Sequence, residues 1–302
     1  MNVALPPSPE SPSERVSERA ITFAGQLSVA YLAVMTWPIW TYFRMTGAIA
    51  PVGLHLATLA FGVFVLATRR RTFRGARDWL PLIAGPVMYV ELRWIIAALG
   101  APHQDALVMA WESRLFATNP SATLAPALHN LALSELLHLA YASYYVLVYL
   151  PPLVLYARGA RAEFAATMLA LTLVYGACFI AYALFPVDGP RYLVGAAAAP
   201  DGPARRFVLA LLEQGSSRGT AFPSSHVAAS VVAALCALRF QPRLGVVVAL
   251  LASLLTVATV YGGFHYAVDG LVGVMLGILA WMGSIAVWKV LASRGAQMAT
   301  AD

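Results

Sequence analysis

Apolar runs of about twenty residues, divided by short arginine-bearing stretches, occupy most of this chain. A hydrocarbon layer ~30 Å thick is crossed by ~20 helical residues, and inside it every backbone N–H and C=O has to be paired within its own segment. Runs of this length and spacing dictate an all-α, polytopic transmembrane helical bundle. Spans are expected near residues 21–43, 49–68, 79–99, 131–156, 163–185, 222–239, 243–261 and 266–290, about eight within a range of six to eight. Only 11% of the residues are charged, against ~25% in soluble domains. The net charge of +6 comes from arginines in short loops, with Lys289 the one lysine. That pattern reports membrane topology, and no nucleic-acid partner is expected.

Residues 1–20, rich in Pro, Ser and Glu without an apolar period, are expected to form a disordered tail. Residues 21–293 then make one transmembrane domain, and 294–302 a C-terminal tail. Arginines concentrate in the stretches 69–78, 157–162 and 239–243, which places these on the cytoplasmic side together with both termini. The loops 100–130 and 186–221 then face outward. At ~1.5 Å of rise per residue, His226, His265 and Asp269 begin spans at the outer face, with Glu135 and His138 close below it. Glu91 and Arg93 reach the same half, and all six histidines fall there. Ionisable residues in lipid spans face a bundle interior or a polar cavity. One outward-opening polar cavity is therefore expected, with a greasy wall able to admit a lipid tail. High alanine and arginine content suits a bacterial inner membrane with the site on the periplasmic side.

Two stretches in the C-terminal part carry the chemistry: Gly-Thr-Ala-Phe-Pro-Ser-Ser-His at 219–226 and Phe-His-Tyr-Ala-Val-Asp at 264–269. His265 and Asp269, four apart, share a helix face on this reading, so the carboxylate fixes the imidazole and makes His265 a candidate nucleophile. His226 opens another apolar run behind Pro223, Ser224 and Ser225, where the free N–H groups of a helix start favour an anion such as phosphate. Ser224 and Ser225 suit both helix capping and phosphate contact.

Phe-Pro-Ser-x-His-x-Ala, followed some forty residues later by His-Tyr-x-x-Asp-x-x-x-Gly, resembles the second and third signatures of the type-2 phosphatidic acid phosphatase superfamily. The tyrosine after His265 is closer to its inositolphosphotransferase (inositol phosphorylceramide synthase-like) branch. The signatures lie within 163–290. The resemblance implies that His265 attacks phosphorus, Asp269 orients it, and His226 protonates the leaving oxygen, with a phosphohistidine between two half-reactions. It also implies phosphate contacts from Ser224 and Ser225. Two departures bear on substrate. Ala258 and Thr259 stand where phosphatase members have Ser-Arg, and Leu184 and Tyr192 stand where the first signature requires Lys and Pro. Arg191 and Arg218 are the candidate replacement clamps, ahead of Arg205 and Arg206.

Transfer to a lipid or sugar hydroxyl is the leading expectation, with hydrolysis of a lipid phosphate as the alternative and a non-catalytic lipid transporter as the second. The expected partners are a lipid phosphate, a hydroxyl acceptor or water, and membrane lipids. No cofactor or metal is expected, because neither histidine has His-x-x-x-His or carboxylate-rich spacing. On the fourth span His138, Tyr141 and Tyr145 recur at three and four, a stripe that suits packing and head-group contact equally. The stretch 105–116 reads as an interfacial amphipathic helix, with a lid as the second reading. Cys178 and Cys236 fall in different spans at different depths, so no disulfide is expected.

Overall fold

The computed structural model describes residues 12–68, 70–193 and 198–299. Apolar sequence becomes helix almost throughout: α1 (Pro12–Thr46), α2 (Ile49–Ala67) and α3 (Arg74–Leu99) form an N-terminal group. The helices α4 (Asp105–Phe116) and α5 (Pro120–Ala127) precede the bent pair α6 (Leu131–Ala142) and α7 (Tyr144–Ala157). Next come α8 (Arg161–Leu184), the single turn α9 (Pro190–Leu193) and α10 (Pro203–Gly215). Last are α11 (Ser225–Phe240), α12 (Pro242–Tyr261) and α13 (Ala267–Ala299). No β-strand occurs among the described residues, and the all-α bundle expected from the apolar runs is what forms.

Among the described residues, six helices are long and apolar enough to cross a membrane, seven if α6 and α7, bent by 44°, count as one span. This is an integral membrane protein. The remaining expected span, α11, has 16 residues, because the Ser224 hydroxyl accepts from Val227 N and sets its start three residues later than the apolar run suggests. The N-terminal expectation also needs correction. Residues 12–20 belong to α1, where Ala20 is fully buried, and residues 1–11 lie outside the described residues. Likewise α13 continues through Ala299, where a tail from 294 was expected.

One end of the bundle is tied by charge. Arg161, at the start of α8, reaches Asp78 on α3 (2.6 Å) and Glu18 on α1 (2.7 Å), and Arg74 meets the same Glu18 (2.9 Å). Residues of the arginine-bearing stretches 70–78 and 157–162 thus meet the start of α1 on one side of the protein.

At the other end α11 and α13 begin together. Helix α11 packs against α7, α8, α12 and α13. Its approach to α13 depends on two glycines, since a Cβ at Gly273 would stand 2.7 Å from the Ser224 carbonyl, and one at Gly277 2.7 Å from that of Ala228. Small residues four apart bring helix backbones together in this way. The helix starts that carry His226 and Asp269 are therefore held side by side.

Candidate active site

Three loops converge where α8 ends and α11 and α13 begin. Val187 and Thr220 form a parallel bridge, with Ala221 N donating to Val187 O at 2.9 Å. Ser224 N donates to the Asp269 carbonyl at 3.1 Å, joining the second loop to the third. Gly189 has φ +88° and stands so close to its neighbours that a Cβ would fall 2.9 Å from that of Ala221. Only glycine combines that backbone region with that proximity.

His265 lies two residues before α13 rather than inside it, and its Nδ1 is 2.9 Å from the Ala221 carbonyl and 3.4 Å from Asp269 Oδ2. A carbonyl only accepts, so Nδ1 carries the proton and Nε2 keeps its lone pair. The carboxylate stands on the same side of the ring as that carbonyl. Its Oδ2 also accepts from Tyr266 N at 2.8 Å, while Oδ1 has no partner among the described residues.

His226, in the first turn of α11, has its ring centre 5.9 Å from that of His265. Tyr141 stacks on it at 5.1 Å, with its hydroxyl 3.3 Å from Nε2, and Tyr144 covers it at 4.3 Å. Both histidines line a cavity of about 40 Å³ together with Arg191, Ser216, Ser217 and Thr220. The Arg191 guanidinium lies over the Tyr192 ring and donates to the Tyr192 hydroxyl (2.7 Å) and to Ser216 Oγ. The cavity thus offers a nucleophilic nitrogen, a second imidazole and a fixed cation, which is what phosphoryl transfer requires of a protein.

Other expected contacts lie elsewhere. Ser224 is fully buried as the N-cap of α11, and Ser225 N donates to the Tyr182 hydroxyl at 3.0 Å. Ser225 borders a neighbouring, larger cavity. Arg218 is exposed, stacked over Tyr192, and is not among the residues that line either cavity. Arg205 and Arg206 pair with Asp201 at 3.1 and 3.0 Å. Arg206 and Arg205 together hold the Asp201 carboxyl below the usual carboxylate range. Tyr141 and Tyr145 border the larger cavity, but His138 does not, its Nδ1 donating to the Ser134 carbonyl of its own helix at 2.7 Å. His138 is a packing residue against Tyr261 and Phe264.

The single polar cavity expected from depth is divided. Glu91 pairs with His55 at 3.0 Å, fully buried away from the two site histidines, and Arg93 is exposed. Glu135 accepts from Ala204 N and Arg205 N at the start of α10.

Two residues that sequence reasoning passed over hold the site together. Asp105 accepts from Asp188 N and Gly189 N, both at 2.9 Å, and Glu112 accepts from Ala267 N (3.0 Å) and Val268 N (2.9 Å). Helix α4 is therefore a strap joining the first loop to the start of α13. The available signal was spacing: Asp105, Val108 and Glu112, at i, i+3 and i+7, form its buried face. Tyr266 belongs to the same strap, its hydroxyl 3.4 Å from Asp105 Oδ1.

His103, Asp105 and Asp188 bring ligand-type atoms within 4.8 Å of one another. Those atoms already have donors: both Asp105 oxygens hold backbone N–H groups, and Asp188 Oδ1 faces His103 Nδ1 and Gly219 N. The grouping ties the first and second loops.

No curated protein and no solved structure matches the chain. A sequence model of the PAP2 superfamily matches residues 106–283, more than half of the chain and the whole of the convergent loop region, and the chain belongs to that superfamily.

Proposed function

We propose that the protein is a membrane-embedded phosphotransferase acting on a lipid-linked phosphate or phosphodiester through a phosphohistidine at His265. PAP2 superfamily members are phosphatases or phosphotransferases, and the observation that carries the reading is the state of His265. Its Nδ1 is tied to the Ala221 carbonyl while the ring borders the Arg191 cavity. Nε2 attacks phosphorus, the ester P–O bond breaks, and the departing oxygen takes a proton from His226. In the second half an acceptor hydroxyl gives its proton to His226 as its oxygen attacks, the P–N bond breaks, and His265 is restored. Arg191 neutralises the equatorial oxygens.

Transfer to a lipid hydroxyl is favoured over hydrolysis by the apolar, tyrosine-lined cavity that borders His226. Resemblance to the inositolphosphotransferases makes an inositol-phosphoryl group the first candidate for transfer. Tyr266, the residue behind that resemblance, serves here as a tether to Asp105 and lines neither the 40 Å³ cavity nor the tyrosine-lined one. Water as acceptor gives the phosphatase reading.

The test is single-turnover labelling with two leaving groups. A nitrophenyl phosphate leaves without protonation, so His226→Ala is expected to retain labelling of the protein from it and to lose labelling from an alkyl phosphate. His265→Ala is expected to lose both. Labelling of His265→Ala would refute the mechanism. Release of free phosphate at the same rate with and without an added lipid alcohol would replace transferase by phosphatase.

A further inference from the structure

The phosphate cavity adjoins a chamber walled mostly from within the family-matched segment, and beyond it a groove to which α1 and α3, which precede that segment, contribute more than half of the wall. Tyr89, Tyr141, Leu212, Ser216 and His226 border both the 40 Å³ cavity and a second one of about 230 Å³. Leu82, Gly85 and Tyr175 in turn border both this chamber and a groove of about 480 Å³ between α1, α3 and α8. His265 lines only the first of these spaces, whereas His226 stands at the junction of the first two. The leaving or accepting oxygen has to lie beside the acid–base group, so the carbon skeleton attached to that oxygen extends into the chamber.

The chamber walls decide what kind of skeleton fits. Six tyrosines line it: Tyr89, Tyr141, Tyr144, Tyr145, Tyr149 and Tyr175. Such a wall suggests a polyol, but five of the hydroxyls already have protein partners. Tyr144 and Tyr175 bond each other (2.6 Å), Tyr149 donates to the Leu82 carbonyl (3.0 Å), Tyr89 meets Thr220 (3.1 Å) and Tyr141 meets His226 (3.3 Å). Apart from the Tyr145 hydroxyl, what these tyrosines offer the space is ring face and edge, which accommodates hydrocarbon and leaves most hydroxyls of a sugar unpaired.

Gly85 stands where chamber and groove meet. A glycine inside a helix costs about 0.5–1 kcal/mol relative to alanine, and close packing is the usual compensation, as at Gly273. At Gly85 a Cβ would meet nothing within 4 Å. Its small size serves open space rather than contact.

We propose that the hydrocarbon chain of the lipid alcohol runs from His226 through the tyrosine chamber, over Gly85, and into the groove between α1, α3 and α8. The N-terminal helices, outside the matched segment 106–283, then select chain length and bulk. This rests on the transfer reading above for the direction of the chain, and the test separates the two.

Hexadecyl phosphate carrying a diazirine near its chain end is photolysed with the full-length protein in nanodiscs, and the labelled peptides are mapped. Label is expected on the groove faces of α1, α3 and α8, and in Gly85→Phe it is expected to fall there by about tenfold or more. Gly53→Phe, an equally open but exposed glycine on α2, should leave the pattern unchanged. Should Gly85→Phe fail to fold, Gly176→Leu, on the groove wall with the same open space, replaces it. Label that ignores both glycine substitutions, or that never enters the groove, overturns the route even in an active enzyme. Groove labelling in a protein inert toward every phosphate ester overturns the transfer reading and leaves the route standing.

Discussion

His55 and His265 each meet a carboxylate inside the bundle, at 3.0 Å from Glu91 and 3.4 Å from Asp269. By distance the first pair is the better one. Yet His55 is fully buried, and its other ring nitrogen faces the Thr36 hydroxyl at 3.0 Å, so neither nitrogen is left for a substrate. His265 has one nitrogen tied down by two acceptors on the same side, and its ring borders a cavity that also holds Arg191 and His226. Access and an unengaged nitrogen, rather than the tightness of the carboxylate contact, separate a reactive histidine from a structural one.

The comparison is broken most directly by removing the proposed nucleophile. His265→Ala is expected to lower phosphoryl transfer by about 10⁴-fold or more, as loss of a residue that forms the covalent bond does. His226→Ala comes next, lowering single-turnover labelling of the protein by about 10²–10⁴-fold from alkyl phosphates and by far less from nitrophenyl phosphate. Equal losses with both leaving groups would remove His226 from its acid role. Asp269→Asn should cost only about 10–100-fold, short of the ~10⁴ that follows when a carboxylate alone fixes the tautomer. The Ala221 carbonyl remains to hold Nδ1–H. A loss as deep as that of His265→Ala would show that the carboxylate, not the carbonyl, governs the ring.

Glu112→Gln sharpens the comparison from outside the cavity. The buried Glu112 carboxylate holds the first two N–H groups of α13, so its neutralisation is expected to cost about 1–2 kcal/mol of stability and a severalfold loss of turnover. Glu112→Ala should go further in both. Unfolding midpoints and turnover measured on the same preparations check this, and a stability loss with unaltered turnover would mean that the strap supports the fold alone.

Much of this was readable from residue order, and the rest was not for identifiable reasons. The long spans follow from apolar length alone, and His226, His265 and Arg191 were singled out by their own short segments. Asp105 and Glu112 were missed because their partners lie 83 to 156 residues away, and an acidic residue in a loop helix reads as surface until those N–H groups are known. The reading of His138, Tyr141 and Tyr145 as one stripe, open equally to packing and head-group contact, left out the break in the helix. It assumed one continuous helix, whereas the chain bends by 44° between Ala142 and Tyr144. Tyr145 therefore belongs to a different segment, and His138 turns to its own backbone.

The smallest expected effect on turnover comes from the first pair. His55→Leu leaves Glu91 buried without its partner, and loss of one member of a buried pair costs about 3–5 kcal/mol. The unfolding midpoint in detergent should fall accordingly, while turnover per folded molecule stays as in the wild type. The double variant His55→Leu/Glu91→Leu removes both polar groups and should recover most of the lost stability, because a packed apolar pair of similar volume replaces a buried ionic one at little cost. Glu91 shares α3 with Tyr89, whose hydroxyl reaches Thr220 in the second loop. That gives a physical path by which a shift of α3 would reach the cavity. If turnover falls in His55→Leu and stays low in the stabilised double variant, the two pairs are coupled through α3, and the N-terminal group belongs to the mechanism rather than only to the fold.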